Sequence, residues 1–366
     1  MSVIDDELKQ FGIDIVCPLK KDKVNAIADY VAKALCVKYP ELKLDYKILY
    51  SGISRLPMYI ADMPNVESGA CYYYKTQSIY FGKNLSEKEI KKVAVHECIH
   101  HFQEISDNNG NMLRIGLCTY NHNKGYGHAL NEAAVQTMAA YATDQQPEVV
   151  TYYGITMPSD SPDYYPLECN LLKQISYTTG ASVLFESTFF ANDKFYEALK
   201  EINGENKALK LQYNFEKLLM LENKIAEISA YIQTNDLKDR VYKKAVKTTN
   251  KYKKNISKLF FTTQNSIIKT FFSYKLKDIK NTLEIEEYRK LLFNYRNLIG
   301  TNDEYSFFND FYLQKMIELD ELYNKLTATN ALVVVKKSKI SRVFDAIRAL
   351  FNLNRGTVVK TNEEDL

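Results

Sequence analysis

The sequence predicts an α+β protein: a small mixed or antiparallel sheet with helices up to about residue 202, then a mainly helical region. Three observations predict it. Short apolar or alternating runs crowd the first 82 residues. Two longer segments, 87–106 and 128–142, read as helices, one behind a capping box and one rich in alanine. From Ala208 to about Leu326 prolines and glycines are few, and Leu211, Phe215, Leu218, Leu221, Ile225, Ile228 and Ile232 recur at helical spacing.

Taken in order, Val24, Ile27, Val31 and Leu35 lie on one stripe and predict a helix over Asp22–Leu35. In LDYKILY (44–50), Leu44, Tyr46, Ile48 and Tyr50 alternate, which predicts a half-buried strand. PMYIAD (57–62) reads as a second strand. CYYYK (71–75) and SIYF (78–81) flank Thr76-Gln77 and predict a hairpin, without the Asn-Gly or Gly of the tightest turns. Ser86, followed three residues on by Glu89, is a capping box. A helix is therefore expected from Glu87 to about Ser106, with DNNG (107–110) as its stop. Its middle, VAVHECI, is apolar on nearly every side except at His96 and Glu97, which suits a buried helix.

NHNKGYG (121–127) reads as a loop, HALNEAAVQTMAAYA (128–142) as a helix, and residues 165–176 as a further helix. NGEN (203–206) marks a boundary. TNDLKD (234–239), IGTND (299–303) and TATN (327–330) divide the helical region, and no repeat of fixed period occurs. The expected domains are 1–202, 203–335 and 336–366, the last a basic amphipathic helix with a polar tail.

With 366 residues, 46% apolar and 25% charged, the chain has a globular composition and can bury a sizeable core. A net charge of +3 gives no reason to expect nucleic acid. MSVIDDELKQFG lacks the basic start and apolar run of a secretory signal. No apolar stretch approaches the ~20 residues of a membrane span. The expectation is a cytoplasmic protein. Cys17, Cys36, Cys71, Cys98, Cys118 and Cys169 contain no CxxC pair, so they are expected to be reduced and mostly buried.

The chemistry concentrates in HECIHHFQ (96–103), which holds three of the five histidines. His96 and His100, four residues apart on a helix, share a face and can reach one small cation. Glu97 is close enough to hydrogen-bond a water there without being a ligand. A catalytic zinc needs three protein ligands and an open position. The spare imidazoles are His101, His122 and His128. Glu132 in GHALNEAAVQ is a better third ligand, because two antiparallel helices can aim His, His and Glu at one atom.

HECIH followed by LNEA resembles the gluzincin zinc peptidases, the thermolysin-like group. The resemblance covers about forty residues. It implies a zincin-like catalytic domain, zinc as cofactor, His96, His100 and Glu132 as ligands, and Glu97 as general base. Where that group has an Asp beside a zinc histidine, this chain has Gln136, which accepts a hydrogen bond but adds no charge. The oxyanion donor in such enzymes is a Tyr or His; Tyr152, Tyr153, Tyr126 and His122 are the candidates. His128 rivals Glu132 or contacts substrate. Asn131 orients the loop or meets substrate. His101 reads as exposed or supporting, and Cys98 as core. The 71–81 hairpin offers an edge strand to an extended peptide.

The function implied is a zinc-dependent metallopeptidase acting on a peptide or protein substrate. Two alternatives stand beside it. One is a catalytically weak zincin-fold scaffold whose basic helices contact an anionic partner. The other is zinc hydrolysis of a different amide. DRVYKKAVKTTNKYKKNISK (239–258), with eight basic residues and one acid, reads as a solvated helix face or a contact for an anion. The segment 336–355 reads as a helix that docks on the protein's own body, on a partner or on a membrane surface.

Overall fold

The computed structural model describes residues 3–10, 12–63, 69–121, 124–234, 239–277, 279–299 and 308–328. The chain is mixed α+β with small sheets and a helical C-terminal region. It divides into two compact units, one of residues 1–274 with 295–305, the other of 275–294 with 306–366.

In the first unit, α1 (Val3–Gln10), β1 (Asp14–Pro18), α2 (Lys21–Lys38), α3 (Tyr46–Ser54), β2 (Met58–Asp62), β3 (Ala70–Tyr73) and β4 (Ser78–Gly82) come first. The four strands form one sheet in the order β1-β2-β4-β3, so β3 is an edge. β2 and β4 run parallel; the other two pairings are antiparallel. One face meets α1 through Leu8, Ile13, Ala61, Tyr73 and Tyr80. The other meets α2, α3 and α4 (Glu87–Phe102), where Val31, Leu35, Ile53, Ile79, Phe81, Val95 and Ile99 are buried together. Each such side chain stabilises by about 1.5–3 kcal/mol.

The expected strand over 44–50 is instead the start of α3. Asp45 caps it, accepting from the Lys47 and Ile48 N–H groups. Leu49 and Ile53, four apart, face the core. The alternation of Leu44, Tyr46, Ile48 and Tyr50 therefore reflects no strand, because the cap and the i,i+4 pair prevail. The hairpin forms as expected, with a four-residue turn at 74–77 that places Gln77 at φ 47°.

α4 begins at the predicted capping box. It ends at Phe102, four residues before expectation. Gln103 is fully buried, and Glu104–Ser106 pairs into a sheet instead. The expected loop before residue 128 is a meander of β5 (Glu104–Ser106), β6 (Met112–Ile115), β7 (Cys118–Asn121) and β8 (Lys124–Tyr126). DNNG is the turn between the first two strands.

α5 (His128–Ala142) follows with the predicted bounds. It is buried on two sides. Val135, Met138 and Ala139 join the first core, and Ala129, Leu130, Ala133 and Ala134 join a second. Alanines let neighbouring helices approach from both directions. The hairpin of β9 (Glu148–Tyr152) and β10 (Ile155–Ser159) precedes α6 (Pro166–Thr179), α7 (Ala181–Phe190) and α8 (Lys194–Asn203). α9 (Glu205–Thr234) places Ala208, Leu211, Phe215 and Leu218 in the second core, with Ile256 and Phe260 of α10 (Asp239–Leu276). The helix break at 203–206 is present, and the compact unit continues past it to residue 274.

The second unit holds most of α11 (Thr282–Ile299) and a helix over 308–328, with Ile285, Tyr288, Leu292, Phe308 and Leu319 buried. Arg289 pairs with Glu286 and Asp320. The segment 336–355 lies outside the described residues, as does His122. All six cysteines are free; Cys98, Cys118 and Cys169 are buried, and Cys17 is exposed. Among the described residues no helix is long and apolar enough to cross a membrane.

Candidate metal centre

Two packed helices build the centre. α4 presents His96 and His100 one turn apart, and α5 presents Glu132. The Nε2 atoms of the two histidines lie 3.0 Å apart. Glu132 places Oε2 3.3 Å from His96 Nε2 and Oε1 3.5 Å from His100 Nε2. A tetrahedral ion with bonds of about 2.0–2.1 Å needs ligand–ligand edges of about 3.3–3.4 Å. The triangle observed is within a few tenths of an ångström of that size. Among the described residues, this is the group of His, Cys, Asp and Glu side chains placed to hold a metal ion.

Two hydrogen-bonded relays fix both rings. Ser161 Oγ donates to the Tyr164 carbonyl at 2.7 Å and so accepts from Gln136 Nε2 at 2.9 Å. That orients the amide, leaving Gln136 Oε1 2.9 Å from His96 Nδ1. Gln103 Nε2 donates to the Thr188 carbonyl at 2.6 Å, leaving its Oε1 3.1 Å from His100 Nδ1. A carbonyl oxygen only accepts, so both histidines carry a proton on Nδ1 and turn Nε2 to the centre. Gln136 is the amide that holds His96. Gln103 went unread in the sequence, although it lies three residues after His100 on the same helix face.

His96, Glu97 and His100 are only 5–9% exposed. Burial alone would lower the His100 pKa, but the charge and hydrogen bond of Glu132, with Glu97, lift it to about 9. Burial alone would raise Glu132, yet His100 and His96 together hold its carboxyl well below the usual range. Both shifts express one interaction, the Glu132 carboxylate keeping its negative charge beside the two imidazoles.

Glu97 stands beside the triangle. Its Oε2 accepts from the Tyr72 N–H at 2.7 Å, on the outer edge of β3. The Tyr72 hydroxyl donates to Glu104 at 2.7 Å and lies 3.3 Å from His101 Nδ1, which ties the edge strand to the end of α4. Burial lowers the His101 pKa, and its ring lies against Tyr72, outside the group placed to hold a metal ion.

Tyr165 is the residue the sequence did not signal. It opens α6 in the left-handed region at φ 50°. Burial, and then the charges of Glu132 and Glu97, raise its pKa well above that of a free phenol. It shares a cleft with Val93, His96, Glu97, Ala139 and Tyr164. Nothing in its spacing could have marked it.

The other candidates scatter. His128 Nδ1 lies 3.7 Å from Glu132 Oε1, with its side chain 55% exposed. Asn131 is buried, accepts from the Leu117 N–H at 2.9 Å and so orients the meander. Tyr152 and Tyr153 pack with their rings tilted at the β9–β10 turn, with Tyr153 against the second core. Tyr126 is half exposed on β8 beneath Lys124. Cys98 is core, as expected. Comparison with known proteins gives no match to any family, curated protein or solved structure.

Proposed function

We propose that this chain is a zinc-dependent peptidase of the gluzincin type, with a zincin-like catalytic domain. His96, His100 and Glu132 are the ligands, and Glu97 is the base. One observation supports the reading above the others. Both histidines are oriented by relays that end on backbone carbonyls, while a separate carboxylate waits beside the triangle. A site that only stabilised the fold would need the ligands and not Glu97.

A mixed nitrogen and oxygen donor set of this size suits zinc, which when bound would acidify a water and polarise a carbonyl. Glu97 accepts the proton of the attacking water and passes it to the leaving nitrogen. The buried Tyr165 phenol stays protonated and can donate to the oxygen that gains charge. An extended peptide lies along the outer edge of β3, which runs past Glu97. The free cysteines suit a reducing compartment such as the cytosol.

Glu97→Gln tests the reading. The variant should bind zinc like wild type and lose at least about a hundredfold in cleavage of an unstructured protein such as casein. A fully active Glu97→Gln protein would rule the mechanism out. A zinc-loaded wild type inert on unstructured proteins would favour the scaffold or a different amide substrate.

A further inference from the structure

The first half of α10 carries a row of cations that the reaction does not use. At about 100° per residue, Arg240, Lys243, Lys244, Lys247, Lys251, Lys254 and Lys258 fall within an arc of about 100°. The row is about 27 Å long at 1.5 Å per residue. All seven side chains are exposed. Among the described residues none of them is ion-paired. After Asp239, α10 contains no acidic residue. The opposite arc holds Ile256 and Phe260, both buried, Tyr252 beneath Lys224, and Lys253, the one cation of this half outside the row. The row therefore faces away from the body of the unit. Like charges three and four apart weaken a helix, and nothing within α10 relieves them.

We propose that this face docks on an anionic lipid surface. The shape of the row argues for a plane. A straight, one-sided row meets a flat surface along its whole length. A helix lying in a major groove about 12 Å wide meets phosphates on both flanks, so its cations would need to spread to both sides. One exposed apolar side chain stands on each flank, Val241 at 43% and Val246 at 36%, among Thr248, Asn250, Asn255 and Ser257. Valines beside lysines, with short polar side chains between them, suit headgroup depth. Six of the seven cations are lysines, mobile point charges, and not the bidentate arginines that grip nucleic-acid phosphates.

This face is separate from the metal centre, so either can fail without the other. The test is flotation of the full chain with vesicles of phosphatidylcholine alone or mixed with phosphatidylglycerol. Binding is expected to the anionic vesicles only, and to fall as salt rises. Lys243, Lys247, Lys251 and Lys254 changed together to Glu should lower it by about a hundredfold or more. Lys20, Lys47, Lys88 and Lys210 changed to Glu give the same net charge without touching the row, and should retain most binding. Melting curves on both variants check the fold. No anionic-vesicle binding by wild type, or equal loss in both variants, would overturn the proposal. So would row-dependent binding to duplex DNA or to RNA without vesicle binding.

Discussion

Replacing Gln136 by Met removes one relay and little else. The two side chains are similar in length and volume, so the packing between α4 and α5 is kept. What is lost is the 2.9 Å bond from His96 Nδ1 to Gln136 Oε1, at a residue only 6% exposed, together with the bond Gln136 Nε2 donates to Ser161, whose hydroxyl keeps its Tyr164 partner. A buried N–H left without an acceptor costs about 1–3 kcal/mol. The ring escapes that cost by turning, or by moving its proton to Nε2, and both take the lone pair away from the centre. Zinc affinity should then fall by about 10–100-fold, or about 1.4–2.7 kcal/mol, which agrees with the cost of the orphaned donor. Gln136→Glu should act in the opposite direction. The Ser161 hydroxyl can turn to donate to the new carboxylate, which makes the imidazole a stronger ligand, so affinity should rise by roughly tenfold. The assay is competition for zinc against a chromophoric chelator, with melting curves on each protein. Unchanged zinc affinity in a folded Gln136→Met variant would refute the claim that this bond sets the tautomer.

Two further outcomes are expected. Tyr165→Phe should keep zinc and lose about 10²–10³ in kcat, the usual loss for one oxyanion donor; a loss confined to KM would assign Tyr165 to substrate binding alone. Gly116→Ala should destabilise by more than about 2 kcal/mol in a denaturant melt. Gly116 sits at φ +54°, and a Cβ there would stand 2.1 Å from Asn131 Oδ1 and 2.5 Å from Gln103 Nε2. Because Gln103 also orients His100, zinc affinity should drop in the same variant; a wild-type melt would show that the meander yields at no cost.

The two helices that carry the centre were legible because their signals are local. Ser86 and Glu89 mark the start of α4, and i,i+4 spacing places His96 over His100. α5 is a run of helix formers with its ends at Gly127 and Thr143. Elsewhere local signals competed. LDYKILY alternates with period two, yet the cap at Asp45, with Leu49 and Ile53, governs the fold. The meander has strands of three or four residues, too short to show a period, and its anchor is a tertiary bond from the Leu117 N–H to Asn131. Tyr165 reaches Glu132 only because the loop after β10 returns across α5. Such an approach is a product of topology and leaves no pattern in the sequence. Gln103 is the instructive omission, since HECIHHFQ already places an amide one turn beyond a ligand.

The most direct test of the centre is zinc content by elemental analysis, on wild type and Glu132→Ala purified side by side. Alanine suits the interior of α5, so the variant should fold. The triangle of His96, His100 and Glu132 predicts one zinc per wild-type chain, lost or much weakened in the variant. Zinc retained by the variant would contradict Glu132 as the third ligand and turn attention to His128, which is 3.7 Å from it. A folded wild type that takes up no zinc, even when it is added back, would contradict the metal centre itself.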